Sequence, residues 1–282
     1  FTIGKLIGTG GMGQVNEAQQ HSLDRTVAVK RVRMERRGQA SRQAMIREAR
    51  LVGRLSHPTI LPILGLGKDQ MEQPVILMPK INGEPWSDLL DREPRDETGM
   101  LTPEGLHRNL KILLRITAAL GYAHDQGIIH RDIKPENILV GAFGEVCLID
   151  WGVAVELDEN GHYQNRQFAG TPAYAAPEML TANATLSPRS DIYLLGANLH
   201  EIITGRRPYL AESLEELIKQ SFTDVDLETM PSGKLSEICQ KALRVDPTRR
   251  YASCEEFSHD LEMFTRAISI EDDLQNARIQ LD

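Results

Sequence analysis

Residues 1–33 alternate apolar and polar positions between turns containing Gly and Asp, as in Lys5-Leu6-Ile7-Gly8 and Thr26-Val27-Ala28-Val29-Lys30. That period of two predicts antiparallel strands. Over residues 41–55 the period lengthens. Ala44, Met45, Ala49, Val52 and Leu55 share one face of a predicted helix, which His57-Pro58 brings to a stop. Two more strands are predicted near residues 60–65 and 75–78. After Asn82-Gly83 long helical periods take over, at residues 103–126, 190–204, 214–221 and 255–268. The chain thus divides into a small β-rich part with one helix and a larger, mainly helical part, an α+β organisation. The polar residues 91–99 read as an exposed loop, and residues 269–282 as a charged tail or the start of a linker helix.

A length of 282 residues supports two lobes, because single hydrophobic cores stop growing near this size. The formal charge of −8, from 40 acidic against 32 basic residues, argues against a nucleic-acid surface and against membrane contact by this segment. Cys147, Cys239 and Cys254 are odd in number and lack metal-ligand spacing, which points to a reducing, cytoplasmic setting. The apolar run at residues 112–123 is broken by Arg115 and falls short of the roughly 18 residues of a membrane span. The chain opens on Phe1-Thr2-Ile3-Gly4 without an initiator Met or signal-like region. We therefore expect a domain excised from a longer protein, which other segments are free to tether to a membrane.

The candidate chemistry is concentrated in His130-Arg131-Asp132-Ile133-Lys134-Pro135-Glu136-Asn137 and, thirteen positions on, Asp150-Trp151-Gly152. Moving a phosphoryl group to a hydroxyl needs an acceptor for the hydroxyl proton, oxygen ligands for a divalent cation, and a positive charge near the transferring group. Asp132, Asn137 with Asp150, and Lys134 have those chemistries. Upstream, Gly8-Thr9-Gly10-Gly11-Met12-Gly13-Gln14-Val15 lies between two strand-like segments, where glycines let the backbone approach phosphates. Such a string alone is as compatible with an ordinary turn. Lys30 ends an apolar strand, and Glu48 lies inside the first predicted helix.

In this order the motifs resemble the eukaryotic-type (Hanks-type) serine/threonine protein kinase catalytic domain. The Gly10-Gly11-Met12-Gly13 wording and the turn at residues 141–146 are similar to its bacterial branch. Gly170-Thr171-Pro172 and Ala176-Pro177-Glu178 resemble the end of that family's activation segment. Asp191 falls at the start of the next helix, and Asp246-Pro247-Thr248-Arg249-Arg250 resembles the late element whose arginine pairs with Glu178. The resemblance implies a bilobal fold, with an antiparallel β N-lobe and hinge over residues 1–81, a helical C-lobe over residues 82–268, and residues 269–282 beyond. It implies transfer of the γ-phosphate of ATP to a Ser or Thr of a protein substrate. Asp132 is then the base, Lys134 the cation near the γ-phosphate and Thr171 a contact of substrate and base. Lys30 holds the α- and β-phosphates with Glu48 as its partner, and Asn137 and Asp150 are ligands of Mg²⁺, or alternatively Mn²⁺. The nucleotide is expected against Ile7, Gly8, Gly10, Gly11, Gly13, Val15, Ala28 and Leu139, with Met78 as gatekeeper and Pro79, Lys80 and Ile81 as hinge. Glu136 and Glu201 match positions that in some members receive a substrate arginine.

Two departures stand out. Trp151 replaces the family's usual Phe, either as a neutral core variant or as a regulatory one. Residues 153–170 contain no Ser or Thr, although Arg131 before the base commonly accompanies a phosphate there; Tyr163 is the only hydroxyl. Glu156, Asp158 or Glu159 are candidates to supply negative charge to Arg131, or else form a solvated loop. A nucleotide-binding pseudokinase acting as an interaction module is the alternative function. A small-molecule phosphotransferase is disfavoured by Thr171 and the Ala176-Pro177-Glu178 element.

Overall fold

The predicted alternation near the N-terminus becomes β1 (Thr2–Thr9), β2 (Gly13–Gln20) and β3 (Arg25–Val32), joined by α1 (Gln39–Val52), β4 (Gly65–Lys68) and β5 (Pro74–Pro79). The structure is a computed structural model describing residues 1–10, 13–33, 38–209, 213–223, 230 and 232–279. The strands form one antiparallel sheet in the order β1-β2-β3-β5-β4, with Ala28 opposite Met78 and Lys30 opposite Ile76. Period two sends Ala28, Val32, Ile76 and Met78 to one face, where they pack with Met45 and Ala49 of α1 and with Leu61. Ala18, Val27 and Val29 make a smaller cluster with Val75 and Leu77.

The strand expected at residues 60–65 is displaced. Only Ile60 pairs there, through a single parallel bridge to Leu148, and the ladder begins at Gly65. Pro62 has no N–H to donate, so an apolar run with strand-like composition cannot form a continuous ladder.

The next elements are β6 (Gly83–Pro85), α2 (Trp86–Arg92), α3 (Pro103–Asp125), β7 (Ile128–Ile129), β8 (Ile138–Gly141) and β9 (Val146–Leu148). β10 (Val155–Glu156), β11 (Tyr163–Gln164), α4 (Pro177–Leu180), β12 (Thr185–Leu186) and α5 (Pro188–Thr204) follow. The chain continues in α6 (Leu214–Ser221), α7 (Lys234–Ala242) and α8 (Cys254–Ile279). Helices α3, α5, α7 and α8 pack together around α5, whose residues from Ser190 to His200 are all buried. α3 starts at Thr102, whose Oγ1 accepts from the Gly105 N–H at 3.1 Å, and Ser187 with Ser190 forms a capping box on α5. α2, α4 and α7 lie outside the predicted helices, and α8 runs unbroken from Cys254 to Ile279.

Residues 91–99 are not simply an exposed loop. Glu93 is buried, and Arg95 donates to the carbonyls of Glu201, Ile202 and Ile203 at 3.2–3.5 Å, capping the C-terminal end of α5. A helix end leaves carbonyls in need of donors, and a long arginine meets three at once.

Contacts separate two compact units. One comprises Phe1–Glu84 with Leu139–Ala154, and the other Pro85–Ile138 with Val155–Asp282. Among the described residues no helix is long and apolar enough to cross a membrane.

Candidate active site

In the first unit the site is built on β3. Lys30 lies between Ala28 and Val32 on the face covered by α1, and Glu48 lies one residue before Ala49 on that helix. The lysine Nζ donates to Glu48 Oε1 at 2.6 Å and to Asp150 Oδ1 at 3.3 Å. Burial opposes its charge, but the two carboxylates outweigh that and raise its pKa above the ordinary lysine value. Burial also raises the pKa of Glu48, against the opposing effect of Lys30, and Glu48 Oε2 is buried without a hydrogen-bond partner. Asp150 Oδ1 accepts from the Gly152 N–H at 3.1 Å as well, and its side chain remains 43% exposed. Trp151 is buried, 2% exposed.

The residues expected around the nucleotide fall into two sets. Ala28 and Met78 are buried opposite each other in the sheet, and Val15 and Ile81 pack onto the same cluster. Ile7 is exposed, while Pro79 and Leu139 are half-buried. Gly8 pairs with Val15, and the Gly10 N–H donates to the Gly13 carbonyl at 2.9 Å. A Cβ on Gly13 would sit 2.6 Å from the Arg31 carbonyl oxygen, so no larger residue fits there. Gly11 lies outside the described residues.

In the second unit, Asp132, Lys134, Asn137 and Thr171 come together. Thr171 Oγ1 donates to Asp132 Oδ1 at 2.7 Å and accepts from Lys134 Nζ at 2.6 Å. Lys134 Nζ is 3.6 Å from Asp132 Oδ2. Asn137 Nδ2 donates to Asp132 Oδ2 at 2.9 Å and to its carbonyl at 2.8 Å, which leaves Asn137 Oδ1 as the oxygen available to a cation. Asp132 is thereby aimed from two sides, with acceptor capacity in reserve.

The loop itself is held from beneath by Asp191, fully buried on α5. Its carboxylate accepts the His130 and Arg131 N–H groups, each at 2.8 Å, and meets His124 Nε2 at 2.9 Å. Arg131 is left-handed, with φ 72°, a conformation unfavourable to an ordinary side chain and sustained by those bonds. Burial alone would depress the His124 pKa, but hydrogen bonds to Asp191 and Cys254 push it up to about 10. Burial would raise that of Asp191, yet its partners hold it below the usual carboxylate range. Gly170 closes onto this loop at φ 120°, and a Cβ there would lie 2.5 Å from the Arg131 carbonyl oxygen.

Arg131 meets an amide among its partners. Its Nη2 lies 3.4 Å from both Asn165 Oδ1 and the Gln167 carbonyl, and its guanidinium stacks 5.3 Å over the Tyr163 ring. Asn165, 1% exposed, sends its Nδ2 to the carbonyls of Met179 at 2.8 Å and Thr181 at 3.0 Å. Asp158 accepts from the Asn160 and His162 N–H groups of its own turn, and neither it nor Glu159 pairs with Arg131. Asn165 carries no motif, and nothing in the sequence singled it out. Arg250 is the arginine that grips Glu178, through two bonds of 2.7 and 2.8 Å. Glu136 and Glu201 are both engaged within the chain, by Arg207 at 2.8 Å and by the Tyr174 hydroxyl at 2.6 Å.

With this geometry in place, comparison with known proteins is specific. The family model of the protein kinase domain matches residues 1–261. The serine/threonine-protein kinase PknD of Chlamydia trachomatis serovar D is 34% identical over 300 residues, covering 94% of this chain and 31% of that protein. A probable serine/threonine-protein kinase PknB of Bifidobacterium longum is 33% identical over 279 residues, covering 93% and 39%. PknD of Protochlamydia amoebophila is 30% identical over 294 residues, covering 94% and 30%. The chain spans about a third of the length of the curated relatives it matches.

Proposed function

The chain belongs to the protein kinase domain family, and from that premise we propose that it is an ATP-dependent serine/threonine kinase of protein substrates with Asp132 as its base. The observation that supports this best is the contact of Asp132 Oδ1 with Thr171 Oγ1 at 2.7 Å, braced by Lys134 at 2.6 Å. A threonine hydroxyl donating to the carboxylate is the hydrogen bond that an acceptor alcohol must make before its proton is taken. Lys134 supplies the positive charge beside it. Lys30, held charged by Glu48 and Asp150, suits a polyphosphate.

The family uses ATP with a divalent metal. We assign Mg²⁺, with Mn²⁺ as the alternative, to Asn137 and Asp150. Both carry side-chain oxygens, the ligands that hard cations take, and the Asp150 side chain keeps 43% of its exposure. Mg²⁺ typically keeps water and phosphate ligands, so two protein oxygens suffice for it. When bound, the ion would offset charge on the phosphates. Against the pseudokinase alternative, Lys30, Asp132, Asn137 and Asp150 are all present. The three cysteines are free and buried, consistent with a cytoplasmic setting, and the net charge argues against a nucleic-acid partner.

The test is transfer from radiolabelled ATP to a generic protein substrate. Asp132→Asn should lose on the order of 10²–10⁴-fold in kcat. Equal rates for the two proteins would refute the assignment of Asp132.

A further inference from the structure

Arg207, on the loop after α5, lays its guanidinium against Glu136 Oε1 at 2.8 Å and over the Tyr174 ring at 5.5 Å. The Tyr174 hydroxyl in turn donates to Glu201 Oε2 at 2.6 Å. A carboxylate beside an aromatic face, with a second carboxylate behind it, is the environment a guanidinium prefers. Its two anchors are not arbitrary. Glu136 directly precedes Asn137, which bonds Asp132. Tyr174 ends the turn that follows Thr171, which bonds Asp132 from the other side.

We infer that the chain fills with its own Arg207 the seat at Glu136 and Glu201 where the resemblance places a substrate arginine, making Arg207 a specificity-determining residue. The inference rests on the reading of Asp132 as the transfer centre. Arg207 and Glu136 keep 43% and 38% of their side-chain exposure, so the seat is reachable by a bound peptide. The grip is through one nitrogen, and Glu136 Oε2 has no hydrogen-bond partner, so the internal pair is not the two-bond fork of a strong arginine–carboxylate contact. It nevertheless has the advantage of being intramolecular. A peptide arginine must displace it and gains little, whereas removing Arg207 exposes Glu136 with Glu201 behind it and turns the seat acidic.

The test uses a serine peptide lacking arginine and a series in which one arginine is walked along either side of the acceptor. Binding is measured by fluorescence anisotropy and transfer in parallel. In the unaltered protein no arginine position should improve Kd by more than about twofold. In Arg207→Gln one position should improve it about tenfold, the size of a single charge-assisted contact. Arg207→Ala should reproduce this, and adding Glu136→Gln should abolish it. An arginine preference already present in the unaltered protein, or none in either Arg207 variant shown folded by its melting curve, overturns the inference. Because the arginine preference is measured as binding, absence of phosphate transfer from every peptide would count against the kinase reading alone.

Discussion

Replacing Asp191 with Asn removes one charge and almost no volume from the centre of the second unit. In the native protein Asp191 Oδ1 accepts from the Arg131 N–H, while Oδ2 accepts from the His130 N–H and from His124. An Asn can keep one acceptor. Its NH₂ then faces the other donors, so at least one buried N–H is left unsatisfied, at about 1–3 kcal/mol. Loss of a charged partner from the buried pair with His124 brings the expected destabilisation to about 3–5 kcal/mol. For a domain of this size that corresponds to a melting temperature lower by roughly ten degrees. The pH dependence supplies a second, sharper reading. With the His124 pKa at about 10 in the folded state, against about 6.5 for an unperturbed histidine, the folded protein binds an extra proton between those values. Its stability is therefore full below about pH 6.5 and falls as pH rises towards 10, by about 1.4 kcal/mol per unit where one proton is involved. Asp191, whose pKa is lowered, contributes on the other side. That stability is present above the ordinary Asp value and lost as pH falls through the folded one. Urea unfolding at a series of pH values, followed by far-UV circular dichroism, measures both effects. Asp191→Asn should be less stable at neutral pH and should lose most of the alkaline slope. A variant within about 1 kcal/mol of the native protein, or one with its slope intact, would refute this account of the loop's support.

Four further outcomes are expected. Lys30→Met should abolish transfer and raise the KM for ATP, because it also leaves Glu48 buried without its cation; near-normal steady-state constants would show that another lysine serves the phosphates. Gly170→Ala should reduce kcat by about tenfold or more with little change in KM for ATP, since a Cβ 2.5 Å from the Arg131 carbonyl oxygen must displace the loop carrying Asp132; an unaltered kcat would mean that the segment is not pressed against the loop in the working enzyme. Asn165→Ala should lower kcat/KM for a peptide while sparing KM for ATP, because its amide ties Arg131 to the carbonyls of Met179 and Thr181, and phosphatase treatment of the native protein should leave activity unchanged, because residues 153–170 contain no Ser or Thr to carry a phosphate. Inactivation by phosphatase, with mass spectrometry placing the lost phosphate on Tyr163 or Thr171, would reverse that conclusion.

What the sequence determined by itself was whatever has a local signature. Period two marked the strand that ends in Lys30, period 3.6 aligned Met45 and Ala49 on the helix that also carries Glu48, and the order of the motifs singled out Asp132, Asn137 and Asp150 as candidates. That Lys30 would meet Glu48, eighteen positions away, came from the family resemblance. Only the tertiary structure decided which partner each polar group took. Asp158 and Glu159, 27 and 28 positions beyond Arg131, were chemically suited to it, yet Asn165 lies within reach while Asp158 caps its own turn. The resemblance marked Glu136 and Glu201 as arginine-receiving positions, but folding brings Arg207 to the one and Tyr174 to the other, from 71 and 27 positions away. The strand misplaced at residues 60–65 has the same origin, since an apolar run signals burial and does not say whether its N–H groups will find a ladder. Short-range periodicity encodes which way a side chain faces. Competition among several suitable partners is settled by distance and desolvation, quantities that exist only once the chain has folded.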